Sequence, residues 1–461
     1  MTQTDPRLDT FLQANLDHYL QETAELCAQP SISARNEGVR ECAELVGRIL
    51  ERHGFQVEKF ETAGSPVVVG HLAGRSDRTL LLYNHYDVQP PEPLELWTTP
   101  PFQPSLRDGA LYARGAEDDK GEFIARLAAV DAVRQAHGGT LPCGVTCVLE
   151  GQEEVSSPHI AQFVREHADQ LKCQGAIWEG GGVDEDERPL NVLGCRGVLS
   201  VELKAETLKM DAHSGDAHFL PNAAWELIRA LMSLKGPDEK ILIPGFYDQA
   251  KPPSALDREL LEAMPDTEAW ARDTYGPRDF VGGEKGKGLE RAVFNCTCNV
   301  AGLTAGYEGP GMKTVIPAQA TAKIDFRLVP DQDPLDIFAK LRAHLDRQGF
   351  AAVTATRLGA MWPYKSSADD PLVALAARTA EAVYQRPYLI KPMAGGSSPI
   401  YAFAGPLGGI PVIWAGVGYG ANRAHSPDEH VRVPDFLKGA RHIAYILDGF
   451  ADLPSAASPG K

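Results

Sequence analysis

The feature that most constrains this chain is a run of apolar residues that ends in two side chains suited to a metal site. Leu80 to Val88 is apolar through Tyr83, which predicts a buried β-strand, and His85 and Asp87 stand at its end. Because side chains alternate along a strand, His85 and Asp87 are expected on the same side. Asp87 then accepts a hydrogen bond from one imidazole nitrogen while the other nitrogen binds a metal ion. Other metal-chelating side chains are therefore expected close to His85.

Helices and strands alternate in the first 196 residues and in the last hundred. The segments with helical spacing of apolar residues are Leu8–Ala28, Val39–His53, Gly121–Ala136, Pro371–Tyr384 and Val433–Phe450. The predicted strands are Phe55–Phe60, Val67–Leu72, Leu80–Val88, Gly144–Glu150 and Ile410–Gly416. This alternation is typical of an α/β domain with a helix-covered, mostly parallel sheet.

Residues 197–358 have a different pattern, which predicts an inserted, smaller α+β domain. Val198–Ala205 and Ala320–Val329 alternate like half-exposed antiparallel strands, and Asn222–Leu234 and Leu335–Gln348 have helical spacing. The piece from Gly236 to Gly288 is rich in proline and glycine and is predicted to be irregular. The outer domain would then consist of residues 1–196 and 359–461.

Composition excludes several classes of partner. The chain has 461 residues and a formal net charge of −17, which argues against nucleic acid or an anionic membrane as the main ligand. Met1 to Leu12 has no apolar core, and no later segment is apolar enough to span a bilayer. The eight cysteines form no CxxC pair, so they are expected to be reduced. A cytoplasmic protein is predicted.

Four further segments carry potential metal ligands. Asp118 and Asp119 precede the helix Gly121–Ala136, Glu153 and Glu154 follow the strand Gly144–Glu150, Glu179 follows an apolar run, and His425 lies in a loop. Taken singly, each has an ordinary alternative as a helix cap, a solvated turn or a loop histidine. Their shared position at the predicted carboxyl ends of strands in one domain favours a common metal site.

With these segments in view, the chain resembles metallopeptidase family M20 over nearly its whole length, nearest the dipeptidase branch. The matching motifs are His85-Tyr86-Asp87, the segment from Arg114 to Gly121, Glu150 to Glu154, Glu179, Asp211 to Gly215, Arg327 to Pro330, Gly395 to Ser397, and His425-Ser426. The resemblance implies a catalytic metal-binding outer domain and an inserted domain that acts as a lid and joins two subunits into a homodimer.

The resemblance also implies a centre of two Zn²⁺ ions per subunit, with Mn²⁺ or Co²⁺ as substitutes. Asp118 would bridge the two ions, His85 and Glu179 would complete the first site, and Glu154 and His425 the second. Asp87 would orient His85, and Glu153 would be the general base. The Asp118–Asp119 peptide bond is expected to be cis, as in the family.

The inserted domain is expected to contribute to substrate binding. By resemblance, His213 reaches the partner subunit's site and steadies the developing oxyanion. Arg327 would bind the substrate carboxylate, with Gly396, Ser397 and Thr314 as further contacts. For His213 and Arg327, a turn histidine and a surface arginine are the ordinary alternatives.

The predicted function is metal-dependent hydrolysis of an amide bond in small substrates with a free carboxylate, dipeptides first. An N-acyl amino acid deacylase or a carboxypeptidase is the alternative, because Glu179 stands where dipeptidases of the family tend to have aspartate. A non-catalytic binding protein on the same fold is a remote alternative. It requires a broken site, yet every metal position and Glu153 are intact.

Overall fold

The computed structural model describes residues 5–265, 267–281 and 288–454. The chain divides into two compact units. The first comprises Met1–Leu193, Ser366–Pro392 and Ala402–Lys461, and the second comprises Gly194–Lys365 and Met393–Tyr401. The second unit thus begins at 194 rather than 197 and ends at 365 rather than 358. Met393–Tyr401, which the sequence pattern placed in the outer domain, belongs to the second unit as well.

The helices and strands follow in chain order. The helices are α1 (Pro6–Ala14), α2 (Leu16–Ala28), α3 (Val39–Arg52), α4 (Lys120–Ala136), α5 (Ile160–Glu166), α6 (Ala223–Leu234), α7 (Ala255–Glu262), α8 (Thr267–Tyr275), α9 (Gly288–Phe294), α10 (Pro334–Arg347), α11 (Pro371–Tyr384), α12 (Ile400–Ala404) and α13 (Val433–Phe450). The strands are β1 (Gln56–Phe60), β2 (Val67–Leu72), β3 (Thr79–His85), β4 (Ser105–Arg107), β5 (Ala110–Tyr112), β6 (Gly144–Glu150), β7 (Gly175–Trp178), β8 (Gly182–Val183), β9 (Pro189–Val192), β10 (Gly194–Cys195), β11 (Gly197–Glu206), β12 (Ala212–His213), β13 (Thr297–Ala305), β14 (Val315–Ile316), β15 (Gln319–Leu328), β16 (Val353–Met361), β17 (Tyr364–Lys365), β18 (Leu389–Lys391), β19 (Val412–Trp414), β20 (Gly418–Tyr419) and β21 (His430–Arg432).

The first unit contains the predicted mixed α/β sheet, in the order β1-β2-β6-β3-β7-β19. Strands β6, β3, β7 and β19 run parallel, and β2 is antiparallel to both of its neighbours. Helix α4 packs against β3 and is buried along most of its length. A strand buried on both faces must be apolar throughout, which is why Leu80, Leu81 and Leu82 follow one another without alternation.

The second unit has the α+β architecture that the sequence predicted. Its main sheet is antiparallel, in the order β13-β15-β11-β16, and α6 and α10 contact it. Along β11, buried residues alternate with half-buried ones, and the buried set packs with α6 and α10 in one apolar core. One face of this sheet is therefore covered by helices, as expected for an alternating strand.

Two helical predictions needed correction. The single helix predicted over Leu8–Ala28 is broken at Asn15, whose side-chain amide donates to the carbonyl of Phe11 at 2.8 Å and separates α1 from α2. The segment from Gly236 to Gly288 is not wholly irregular, because it contains α7 and α8. Ser254 and Asp257 form a capping box that starts α7, and the nearby prolines obscure this signal in the sequence.

A membrane span requires a helix that is both long and apolar, and no helix in the described part of the chain meets both requirements.

A buried charge network joins the first three long helices of the first unit. The His53 imidazole, at the end of α3, lies 2.6 Å from Asp131 of α4 through Nδ1 and 2.8 Å from Glu22 of α2 through Nε2. With a carboxylate at each nitrogen, both nitrogens donate, so the ring carries a proton on each. Burial opposes this charge, yet the hydrogen bonds to Asp131 and Glu22 raise the pKa of His53 to about 9.

We expect this network to make the stability of the first unit depend on pH. A raised pKa in the folded state stabilises fully below the unfolded value near 6.5, and the contribution is lost as pH rises through about 9. The free energy of unfolding should therefore fall by roughly 3 kcal/mol between those two pH values. Urea unfolding between about pH 6 and pH 10 measures it. A His53→Gln variant should be less stable at neutral pH and lose this dependence; an unchanged slope in the variant would contradict the assignment.

Candidate metal centre

Three parallel strands deliver the first set of candidate ligands. β3 ends at His85, Glu153 and Glu154 form a short 3₁₀ turn after β6, and Glu179 follows β7. Because β3 lies between β6 and β7 with the same direction, the carboxyl ends of all three strands meet at one edge of the sheet. These side chains are therefore neighbours although they lie far apart in the sequence.

Asp118 and His425 reach the same edge from loops rather than from strands of this sheet. Asp118 lies between β5 and α4, and His425 lies between β20 and β21. Asp118 Oδ1 is 3.0 Å from His85 Nε2, and Asp118 Oδ2 is 2.9 Å from His425 Nε2. Glu179 Oε2 lies 3.8 Å from His85 Nε2, and Glu154 Oε2 lies 3.2 Å from His425 Nε2. The Asp118 carboxylate thus stands between two groups, each with one imidazole and one further carboxylate.

Asp119 joins the cluster, although the resemblance implied only Asp118 of this pair as a ligand. Ligand atoms of His85, Asp119 and Glu179 lie within 4.8 Å of one another, and the same holds for His85, Asp118 and Glu154. Asp119 Oδ2 also accepts hydrogen bonds from the Asn84 side chain at 2.8 Å and from the His85 backbone N–H at 2.9 Å. The predicted cis peptide bond between Asp118 and Asp119 is confirmed. The pair of adjacent aspartates was the signal in the sequence for the second residue.

The electrostatics of the cluster favour a cation. Burial raises the pKa of Glu153 to about 7 and raises that of Glu179 well above its ordinary value. Burial acts in the same direction on Asp118, but hydrogen bonds from His425 and His85 hold its pKa below the ordinary value. In turn, the hydrogen bond to Asp118 raises the pKa of His425 to about 10. The buried carboxylates are therefore stabilised by nearby positive charge, which the two imidazoles provide when they are protonated.

A metal ion fits this donor set better than protons do. Glu179 Oε2 is buried, and in the described part of the chain no hydrogen-bond donor satisfies it. An unsatisfied buried carboxylate oxygen is costly unless a cation is present. Carboxylate oxygens and imidazole nitrogens are ligands that suit zinc, with manganese and cobalt as related choices. The residues present therefore fit a metal centre.

Asp87 organises the cluster in a way that the sequence anticipated only in part. His85 Nδ1 donates to the backbone carbonyl of Asp87 at 3.0 Å, while the Asp87 carboxylate lies 3.4 Å away. That carboxylate accepts instead from the backbone N–H groups of Glu153 at 3.2 Å and Glu154 at 3.1 Å. Gln89, which was not predicted, donates to Glu154 Oε2 at 2.8 Å. Asp87 therefore fixes the turn that carries two candidate site residues as well as the ring of His85.

The remaining predicted residues lie in the second unit. Arg327 Nη1 donates to Ser397 Oγ at 2.8 Å, and the carbonyl of Gly396 accepts from the Arg196 N–H at 3.0 Å. His213 is exposed and pairs with Val315 across β12 and β14, and the carbonyl of Thr314 accepts from the Ser214 N–H at 3.2 Å. Arg327, Ser397 and Gly396 thus lie near one another, and His213 and Thr314 lie on two paired segments.

Comparison with known proteins shows the family of this chain and agrees with its fold. Residues 81–449 match the family described as Peptidase family M20/M25/M40, so this chain belongs to that family and is a metallopeptidase. It is 25% identical over 466 residues to the Cys-Gly metallodipeptidase dug1 of Schizosaccharomyces pombe, which covers 94% of this chain and 96% of that protein. It is 26% identical over 405 residues to the human Beta-Ala-His dipeptidase, covering 84% of this chain and 78% of that protein.

A solved structure is also similar. The M20 family metallo-carboxypeptidase Sso-CP2 from Sulfolobus solfataricus shares 33% of its sequence with this chain at a TM-score of 0.85, covering 94% of this chain and 99% of that one. The family and the neighbourhood of the dipeptidases were recognised correctly from the sequence motifs.

Replacing Glu179 tests the metal centre directly. We expect Glu179→Gln to bind zinc at least about 10-fold more weakly than the wild type, since the loss of even an outer partner of a ligand has that effect. Without metal, the variant should unfold at a higher temperature, because it removes a carboxyl whose charge burial disfavours. Metal content after dialysis and thermal melts measure both effects. The control is Glu187→Gln, which removes a partly exposed partner of Arg432. Wild-type zinc binding in Glu179→Gln would contradict the assignment of Glu179 as a metal ligand.

Proposed function

We propose that this protein is a dipeptidase that hydrolyses the peptide bond of dipeptides with a free carboxylate and uses two Zn²⁺ ions. The observation that carries the proposal is the position of Asp118, whose two oxygens face His85 and His425 at 3.0 and 2.9 Å. A single carboxylate that stands between two ligand groups supports a pair of ions, both of which Asp118 would help to hold. His85 and Glu179 would hold one ion, and Glu154 and His425 the other.

The chain's own residues supply the proton transfers. When bound, two cations lower the pKa of a water molecule and polarise the scissile carbonyl. Glu153 takes the proton from the attacking water and later donates it to the leaving amine. Burial raises the pKa of Glu153, which favours uptake of the proton from the water. The Asp87 carboxylate holds the Glu153 N–H at 3.2 Å and thereby keeps this base in place.

The second unit supplies substrate binding in this proposal. Arg327 has Ser397 as its hydrogen-bond partner, and a guanidinium beside a hydroxyl offers a fork for the substrate carboxylate. Gly396 and Thr314 add backbone or hydroxyl contacts, and His213 steadies the oxyanion. The names of the relatives, a Cys-Gly dipeptidase and a Beta-Ala-His dipeptidase, support small substrates with a free carboxylate.

A carboxypeptidase or N-acyl amino acid deacylase is the second candidate. Glu179 occupies a position where the dipeptidases of the family tend to have aspartate, and the similar Sso-CP2 structure is described as a carboxypeptidase. Both alternatives retain the same cluster and the same general base, so the difference lies in what the substrate-binding residues accept.

A substrate panel with a Glu153→Gln variant tests the chemistry and the substrate together. We expect zinc-loaded wild type to turn over dipeptides faster than N-acetyl amino acids or longer peptides. Glu153→Gln should lose about 10²- to 10⁴-fold in kcat, because the amide cannot take up the proton. Its zinc content should stay at the wild-type level. Preferred turnover of longer peptides or of acetylated amino acids would favour the second candidate, and unchanged kcat in the variant would exclude Glu153 as the base.

We further propose that β13 joins two copies of the chain into a homodimer. β13 lies at an end of its sheet and carries no charged residue, although exposed edge strands usually have charges that block pairing. Val300 and Leu303 on this strand are 47% and 54% exposed. Helix α6, which contacts β13, also presents Trp225 and Met232 to solvent. A second copy would cover this apolar surface and would bring its His213 to the partner's site.

A charge placed on β13 tests the dimer and the role of His213 at once. We expect Leu303→Glu to be monomeric by light scattering and to lose activity, because the partner's histidine is then missing. Leu358→Glu is the matched control, since Leu358 is 54% exposed on β16 at the opposite edge of the same sheet. A monomer with full activity would contradict the role of His213, and a dimeric Leu303→Glu protein would contradict the interface.

We also propose that the protein works in the cytoplasm. Its eight cysteines are all unpaired, which suits a reducing compartment. Recovery of the protein with secreted proteins in cell fractionation would contradict this.

A further inference from the structure

The carboxylate of Glu429 collects four donors from the loop that carries Asp118. Glu429 Oε2 accepts from Arg114 Nη1 at 2.6 Å and from the Gly115 N–H at 3.0 Å. Glu429 Oε1 accepts from the N–H groups of Glu117 at 3.1 Å and Asp118 at 3.0 Å. The side chain of Glu429 is fully buried and that of Arg114 is 1% exposed. Burial of a carboxylate is costly unless hydrogen bonds replace those to water, and these four donors provide the replacement.

Glu429 also belongs to the loop that carries His425. The His430 N–H donates to the carbonyl of Asn422 at 2.9 Å and closes this loop. Within it, His425 and Asp428 have φ angles of 61° and 60°, which non-glycine residues seldom adopt. The loop therefore needs fixed contacts to keep its shape. Glu429 supplies them on the side that faces the Asp118 loop.

The two loops meet because of a strand pair. β5 pairs with β21, so the residues after β5 and the residues before β21 lie side by side. The carbonyl of Glu429 accepts from the Ala113 N–H at 3.1 Å and continues this pairing up to the loops. Glu429 thus connects the loop that carries Asp118 with the loop that carries His425.

We infer that Glu429 is a positioning residue that sets the spacing of Asp118 and His425 and so determines the affinity for one of the two cations. This inference rests on the proposed function, since it concerns the ion that Asp118, Glu154 and His425 would hold. The other ion would share Asp118, but its further ligands are His85 and Glu179, which Glu429 does not contact. Loss of the Glu429 carboxylate should therefore affect the two ions unequally.

Glutamine cannot replace this glutamate, although it has the same size. Both oxygens of Glu429 are used, each by two N–H donors. An amide has a single oxygen, and its NH₂ group cannot accept hydrogen bonds from the two donors that it would face. In one orientation the backbone N–H groups of Glu117 and Asp118 lose their partner, and in the other Arg114 and Gly115 do.

Zinc titration of metal-stripped protein tests the inference. We expect the wild type to bind two ions and Glu429→Gln to bind one of them about 10- to 100-fold more weakly, with a smaller loss for the other. Visible absorption of added Co²⁺ should change more for the weakened equivalent than for the other. Glu429→Asp keeps the charge on a shorter side chain and should show a smaller loss. If Glu429→Gln does not fold, Glu429→Asp is tested in its place. Wild-type affinity for both ions in Glu429→Asp would then overturn the inference.

Glu22→Gln controls for a general loss of stability. Glu22 is also a buried carboxylate with cationic partners, His53 at 2.8 Å and Arg52 at 3.0 Å, and neither partner is a candidate ligand. It should lower the melting temperature while both zinc affinities stay normal. Normal affinity for both ions in Glu429→Gln would overturn the positioning role alone. A wild type that fails to bind two ions would overturn the proposed function and this inference together.

Discussion

Repulsion among buried carboxylates is the constraint on which the first unit of this protein depends. Asp118, Glu153 and Glu179 converge with His85 and His425 at one sheet edge, where burial raises the pKa of two of the carboxyls. Such an arrangement is unfavourable without positive charge. This cost is consistent with the proposed role of the cluster, because a cluster that attracts cations is suited to hold metal ions.

The protein holds the cluster together through carboxylates that do not themselves belong to the ligand set. The Asp87 carboxylate accepts hydrogen bonds from the backbone of the Glu153–Glu154 turn, and the Glu429 carboxylate accepts them from the backbone of the Asp118 loop. Glu122 of α4 accepts the Gly180 N–H at 2.8 Å, directly after Glu179. Each uses backbone N–H groups as donors, which cannot swing away as side chains do. Rigidity of the ligand loops thus comes from buried acids behind them.

Much of the fold was predictable from local patterns. α11, α13, β2 and β6 have the predicted bounds, since each combines an uninterrupted apolar pattern with clear ends. The failures have identifiable causes. Asn15 breaks a helix that its neighbours would continue, and the capping box at Ser254 was obscured by nearby prolines. The edge strand β13 was missed because only one of its residues is buried, which leaves little periodicity to detect.

The sequence by itself predicted that His85, Asp118, Glu154, Glu179 and His425 share one site, because the motifs that carry them are recognisable. It also determined the family. Only the tertiary structure showed that Asp119 lies among the candidate ligands, that the carbonyl of Asp87 accepts a hydrogen bond from His85 Nδ1, and that Glu429 connects two loops. These contacts join residues up to about three hundred positions apart, as with Glu429 and Asp118. Local sequence patterns record the conformation of neighbouring residues, whereas such contacts arise only when distant segments pack.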